Sequence, residues 1–141
     1  MATNTARIAA LARHLGIDPQ DITPTPYETF RCADGEFRVL TDAEADVATR
    51  EEIENSLWAF NVDFIAAHAQ IALPPSAQRA LRKMAEELCE DASPIFAAII
   101  GTNFPAFVED AIRADGRGHF LSGWDGNEID IGEDLYAYRV N

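Results

Sequence analysis

With 48% hydrophobic and 25% charged residues over 141 positions, the chain has the balance of a folded globular protein and the length for one core, so the expectation is a single domain, 1–141, and not a disordered tail or a pair of domains. Its 24 acidic residues face 11 Lys plus Arg, a formal net charge of −13, and Lys83 is the only lysine. That field repels nucleic acids and anionic lipid, and no basic run offsets it, so direct nucleic-acid binding and membrane binding are both set aside.

The opening segment carries Ile8, Leu11, Ala12 and Leu15 at helical spacing with Gly16 as a stop, which predicts a helix over Thr5–Leu15 and suits a signal peptide poorly. Three prolines between 19 and 26 make IDPQDITPTPYE a linker or extended arm. In TFRCADGEFRVLT, Asp34-Gly35 between two short β-prone runs predicts a hairpin over about residues 28–40. Thr41 with Glu44 three residues on is a capping box, and it opens a long helix whose stripe of Ile53, Leu57, Phe60 and Phe64 runs through SLWAFN toward residue 70. Beyond Leu73-Pro74-Pro75, Ser76 or a neighbour can cap a helix that turns Leu81, Met84, Leu88 and Ala77 inward. Ser93-Pro94 starts another that ends at Gly101, and Pro105 to Ala114 forms a third. After Gly116 the period changes to two, so HFLS, NEIDI and DLYAYRV read as strands. The fold class is therefore α+β: helix-rich, with a small antiparallel sheet built from the early hairpin and the C-terminal strands.

The densest stretch, ADGRGHFLSGWDGNE (114–128), has two readings. Asp115-Gly116 and Asp125-Gly126 can serve only as a helix stop and a turn. Alternatively Arg117, His119 and Asp125, with Ser122, could form a small enzyme or ligand site with His119 as acid/base and Arg117 as anion contact, although a strand from Gly118 would send His119 and Ser122 to opposite faces. GRG follows a helix and lacks the spacing of a phosphate loop. DGNEIDIGED has Ile129 and Asp130 where a calcium loop needs an oxygen ligand and a glycine. His14 and His68 fall at helix ends, where an imidazolium suits the dipole. Cys32 and Cys89 stand in different segments without ligand spacing, so no metal site and no cofactor is expected, and both thiols fit a reducing, cytoplasmic setting. Trp58 reads as core or as an interface anchor.

Carboxylates gather in three groups: Asp42, Glu44, Asp46, Glu51, Glu52 and Glu54; Glu86, Glu87, Glu90 and Asp91; and Asp125, Glu128, Asp130, Glu133 and Asp134. Sharing one side, they would make an acidic docking face; otherwise they are an ordinary solvated surface. LTDAEAD (40–46), SLWAFN (56–61), EDAI..DGRGHFLS..DGNE (109–128) and YRVN (138–141) resemble a loose group of small acidic proteins of bacteriophages, prophages and plasmids, over about two thirds of the chain. The group has no assigned activity, so the resemblance implies a genomic setting; by character, not motif, it suggests an anti-CRISPR-like or antirestriction-like inhibitor. The leading expectation is a non-enzymatic protein, monomer or homodimer, that engages a basic or nucleic-acid-binding protein. The rivals are the Arg117–His119 site and a homo-oligomeric phage accessory factor.

Overall fold

The computed structural model describes residues 2–141, and it is α+β with one five-stranded antiparallel sheet. Its helices are α1 (Asn4–Leu15), α2 (Asp42–Asn55), α3 (Val62–Ala67), α4 (Pro75–Leu88), α5 (Ser93–Ile100), α6 (Phe104–Asp115) and α7 (Arg117–Leu121); its strands are β1 (Thr23–Pro24), β2 (Phe30–Cys32), β3 (Gly35–Thr41), β4 (Ile129–Gly132) and β5 (Leu135–Arg139). Contacts divide the chain into two compact units, Met1–Thr49 with Asp115–Asn141, and Arg50–Ala114; the division falls inside α2.

The first unit holds the sheet, in order β1-β2-β3-β5-β4, so the early hairpin and the C-terminal strands share one ladder, as the sequence pattern implies. Strand alternation puts Phe37, Val39, Ala137 and Ile131 with Leu11 and Ala10 of α1 in one core, and Tyr138 with Ala45 and Leu121 in another. Thr3, whose side chain accepts from the Ala6 amide, caps α1, and left-handed Gly16 ends it. The hairpin β2-β3 forms, but Cys32 pairs with Gly35, so its loop residues are Ala33 and Asp34. Gly35 is instead the close-approach residue, because a Cβ there would lie 2.4 Å from the Asn141 carbonyl. Between β4 and β5, Glu133 and Asp134 both take positive φ, the backbone that matches the right-handed twist of a two-residue hairpin. The proline-rich arm is more ordered than its composition implies: Asp18 caps a 3-10 turn over Pro19–Asp21, and Pro24 sits in an edge strand, where its missing N–H leaves no ladder bond unmade.

The second unit is all helical. The long helix expected from Thr41 to about residue 70 is three pieces: α2 stops at Asn55, a 3-10 turn covers Leu57–Ala59, and α3 restarts after Asn61, whose side chain accepts from the Asp63 amide. The break lets Ile53, Leu57 and Ile65 all be fully buried, which a straight stripe drifting around one axis does not require. Ser76 lies inside α4 and does not cap it. Ser93 is buried and tied elsewhere, accepting from the Trp58 amide and donating to the Asn55 carbonyl. Of the residues expected to face inward on α4, Ala77, Leu81 and Met84 are half-buried and Leu88 is exposed. By length and composition the run Pro75–Asp115 is long and apolar enough to cross a membrane. Positive φ at Cys89 and Gly101 divides it into helices of 14, 8 and 12 residues, each short of the roughly 20 a span needs.

Candidate functional site

HFLS is not a strand. Gly116, at φ +81°, ends α6 and starts α7, so GRG leads into a helix, contrary to the sequence reading, though one of only five residues. Burial explains the change of period: in the helix Gly118, Leu121 and Ser122 all turn inward, Leu121 packing with Ala45 and Tyr138. At Gly118 a Cβ would come within 2.5 Å of the Gly126 carbonyl, so this helix packs directly on the backbone of the 126–128 loop.

Arg117 is the centre of the region. Its side chain is only 11% exposed. Nη1 donates to Asp42 Oδ1 and Asp46 Oδ1, each at 2.9 Å, and to the Asp42 carbonyl at 3.2 Å; Nε donates to Glu128 Oε1 at 2.7 Å. The guanidinium also lies 5.0 Å above the Tyr136 ring. The same Glu128 oxygen accepts a short hydrogen bond from the Tyr138 hydroxyl. Burial works against the Arg117 charge, but hydrogen bonds to Glu128, Asp46 and Asp42 outweigh it and hold its proton more tightly than usual. Burial, then the bond to Glu128, pushes the Tyr138 phenol upward. Helices α2 and α7, strand β5 and the loop before β4 are thus pinned through one side chain, whose Nε and Nη1 donate to the protein itself.

The other members of the possible small-molecule site stand apart from this network. His119 is exposed on α7, with its ring edge against Phe120 at 4.9 Å. Asp125 accepts from the Asn127 amide and from Ser122 Oγ, which hold its carboxyl below the usual range, and Ser122 Oγ also lies 2.7 Å from the Arg139 carbonyl. No hydrogen bond joins His119 to Arg117, Ser122 or Asp125 among the described residues. Both Asp-Gly pairs occupy the turns their composition implies.

The carboxylates divide by unit. In the first, Glu44 completes the capping box with Thr41 and takes a two-pronged pair from Arg7, at 2.8 and 3.0 Å; Arg7 in turn donates to the Val39 and Ala2 carbonyls. That Arg7 hydrogen bond, against some desolvation, lowers the Glu44 pKa to about 2. Asp42, Asp46 and Glu128 are held by Arg117 and Glu133 by Arg13, while the Asp130 side chain accepts from the Gly132 amide. In the second unit Glu51, Glu52, Glu54, Glu86, Glu87, Glu90 and Asp91 are all exposed, and among the described residues none is in a salt bridge. Glu52 and Glu54 lie in the last turn of α2, Glu86 and Glu87 in the last turn of α4, and neither turn holds a basic residue. Glu54 and Glu90 line one open hollow of about 400 Å³ with Asn55, Ser93, Pro94 and Ala97.

Sequence reasoning missed the Arg117 network because Asp42 and Asp46 lie 75 and 71 positions away. Among the described residues no group of three His, Cys, Asp or Glu is arranged to hold a metal ion. No protein-family model, curated protein or solved structure matches the chain.

Proposed function

We propose that the chain is a non-enzymatic interaction protein that engages a basic, nucleic-acid-binding partner through the exposed carboxylates of its helical unit, acting for a mobile element against a host defence complex. The observation that carries this is the placement of Glu52, Glu54, Glu86 and Glu87 at the negative ends of α2 and α4. Carboxylates there oppose the helix macrodipole, and each costs the fold roughly 0.3–1 kcal/mol when exposed. Folding alone favours the reverse charge at these ends. Glu90 and Asp91 extend the same acidic stretch just past α4, and Glu54 and Glu90 share a hollow that a guanidinium or ammonium side chain can enter. The net charge of −13 adds long-range attraction toward a cationic surface.

Immobilised protein should retain a basic nucleic-acid-binding protein from a bacterial lysate at about 50 mM salt and release it as salt rises past several hundred millimolar, where the Debye length shrinks toward about 3–5 Å. The triple variant Glu54→Lys, Glu86→Lys, Glu90→Lys should lose that capture, whereas His119→Ala should keep it. Capture that survives the triple variant, or that His119→Ala abolishes, would discard the acidic surface as the binding element.

A further inference from the structure

The proline-rich arm ends in a tight hairpin tip between β1 and β2. Thr25 and Thr29 close it: the Thr25 amide donates to the Thr29 carbonyl at 2.9 Å, and the two hydroxyls are hydrogen-bonded to each other. The Tyr27 amide donates to Thr25 Oγ1 at 3.2 Å, and Pro26 fixes the backbone of the first of the three tip residues, Pro26-Tyr27-Glu28. Below the tip Pro24 pairs with Phe30 and Thr23 with Arg31, and Thr29 and Phe30 are buried, so the loop stands on the sheet as a stapled turn.

The other two tip residues run against what folding prefers. Glu28 takes φ +60°, the left-handed backbone at which a three-residue hairpin loop ordinarily places Gly. Strain of this kind persists only where the surrounding structure holds it, and it gathers at binding sites. Tyr27 is 82% exposed, more than any other large apolar side chain among the described residues, and among them neither a ring nor a cation stacks on it. The surroundings carry one sign. Between His14 and Arg31 the chain has no basic residue, and Asp18, Asp21 and Glu28 are exposed and, among the described residues, in no salt bridge. Arg31, the next cation along the chain, stands opposite Thr23 and is paired with Glu36 at 2.8 Å.

We propose that the Tyr27 tip is a docking point for an arginine side chain of a partner protein. The guanidinium lies flat on the exposed ring, held by cation–π attraction, and the adjacent Glu28 carboxylate takes its N–H fork. Arginine fits better than lysine, because a planar, weakly hydrated guanidinium stacks on a ring and keeps its in-plane donors free, whereas an ammonium is a compact, strongly hydrated charge. The closed tip holds its backbone in place before the partner arrives, so little ordering entropy is lost on docking. The partner class is the basic one proposed above, yet the inference rests on no carboxylate of the helical unit.

Titration of the full chain with a capped tri-arginine peptide at about 50 mM salt, followed by NMR, should shift the Tyr27 ring and the Glu28 amide, and a tri-lysine peptide of equal charge should shift them less. Read at the Glu28 amide, Tyr27→Ala should weaken the tri-arginine peptide by about 2–5-fold, the worth of an exposed cation–π contact, and Tyr27→Phe should keep the wild-type affinity. Melting temperature should be the same in all three chains. The variant Glu54→Lys, Glu86→Lys, Glu90→Lys should leave the Tyr27 response intact, so failure of the acidic helical surface and failure of this tip read separately. Equal responses to the two peptides, an unchanged affinity in Tyr27→Ala, or a lower melting temperature in either tyrosine variant would each overturn the proposal.

Discussion

The two units carry similar side chains to opposite ends. In the sheet unit, six of the fourteen acidic residues are held by arginines: Arg7 holds Glu44, Arg13 holds Glu133, Arg31 holds Glu36, and Arg117 holds Asp42, Asp46 and Glu128. In the helical unit, Asp63, Glu109 and Asp110 are paired, while Glu51, Glu52, Glu54, Glu86, Glu87, Glu90 and Asp91 are exposed and, among the described residues, in no salt bridge. Charge that closes a fold and charge left to solvent differ in the burial of the cation: Arg7 and Arg117 are about nine-tenths buried. A buried cation makes its carboxylates necessary, whereas an exposed carboxylate at a helix C-terminus is unfavourable to the helix that bears it.

The comparison is broken most severely at Arg117. Arg117→Met leaves Asp42, Asp46 and Glu128 facing one another, and should cost about 3 kcal/mol in urea unfolding, below the most damaging buried-pair removals because Asp42 and Asp46 are more than half exposed. A loss under about 0.5 kcal/mol, the ordinary surface scatter, would mean the network does not close the unit.

Next comes Glu44. Its carboxyl is lowered from 4.5 to about 2, so the stabilisation is complete above 4.5 and disappears as pH falls through about 2. Glu44→Gln should destabilise by about 2 kcal/mol at neutral pH, and the gap from wild type should close in acid; a gap independent of pH would assign the effect to capping geometry.

The smallest effect has the opposite sign. Glu86→Lys with Glu87→Lys places cations at the C-terminus of α4 and should raise stability by about 0.5–1 kcal/mol in low salt, less in high salt. Destabilisation by the pair would show that these glutamates serve the fold, and the contrast between the units would fall.

Local chemistry made much of this legible. The Thr41–Glu44 box, the α1 stop at Gly16, the β2–β3 hairpin and both Asp-Gly turns rest on interactions within a few residues, and each forms where the pattern implies. Period alone misled at His119-Phe120-Leu121-Ser122, where alternation and a five-residue helix bury compatible positions and only the sheet beneath Leu121 selects the helix. It misled again at Ser56–Asn61, where the stripe runs on while the backbone turns.

The chain's own order of residues determined its acidity, its α+β class, most element starts and the three acidic groups, because composition, capping and turn preference act over one or two turns of backbone. Tertiary structure alone decided which charges are spent. Arg117 meets Asp42 across 75 positions and His68 meets Asp110 across 42, and whether a carboxylate is neutralised or left to solvent depends on which cation the folded chain buries beside it.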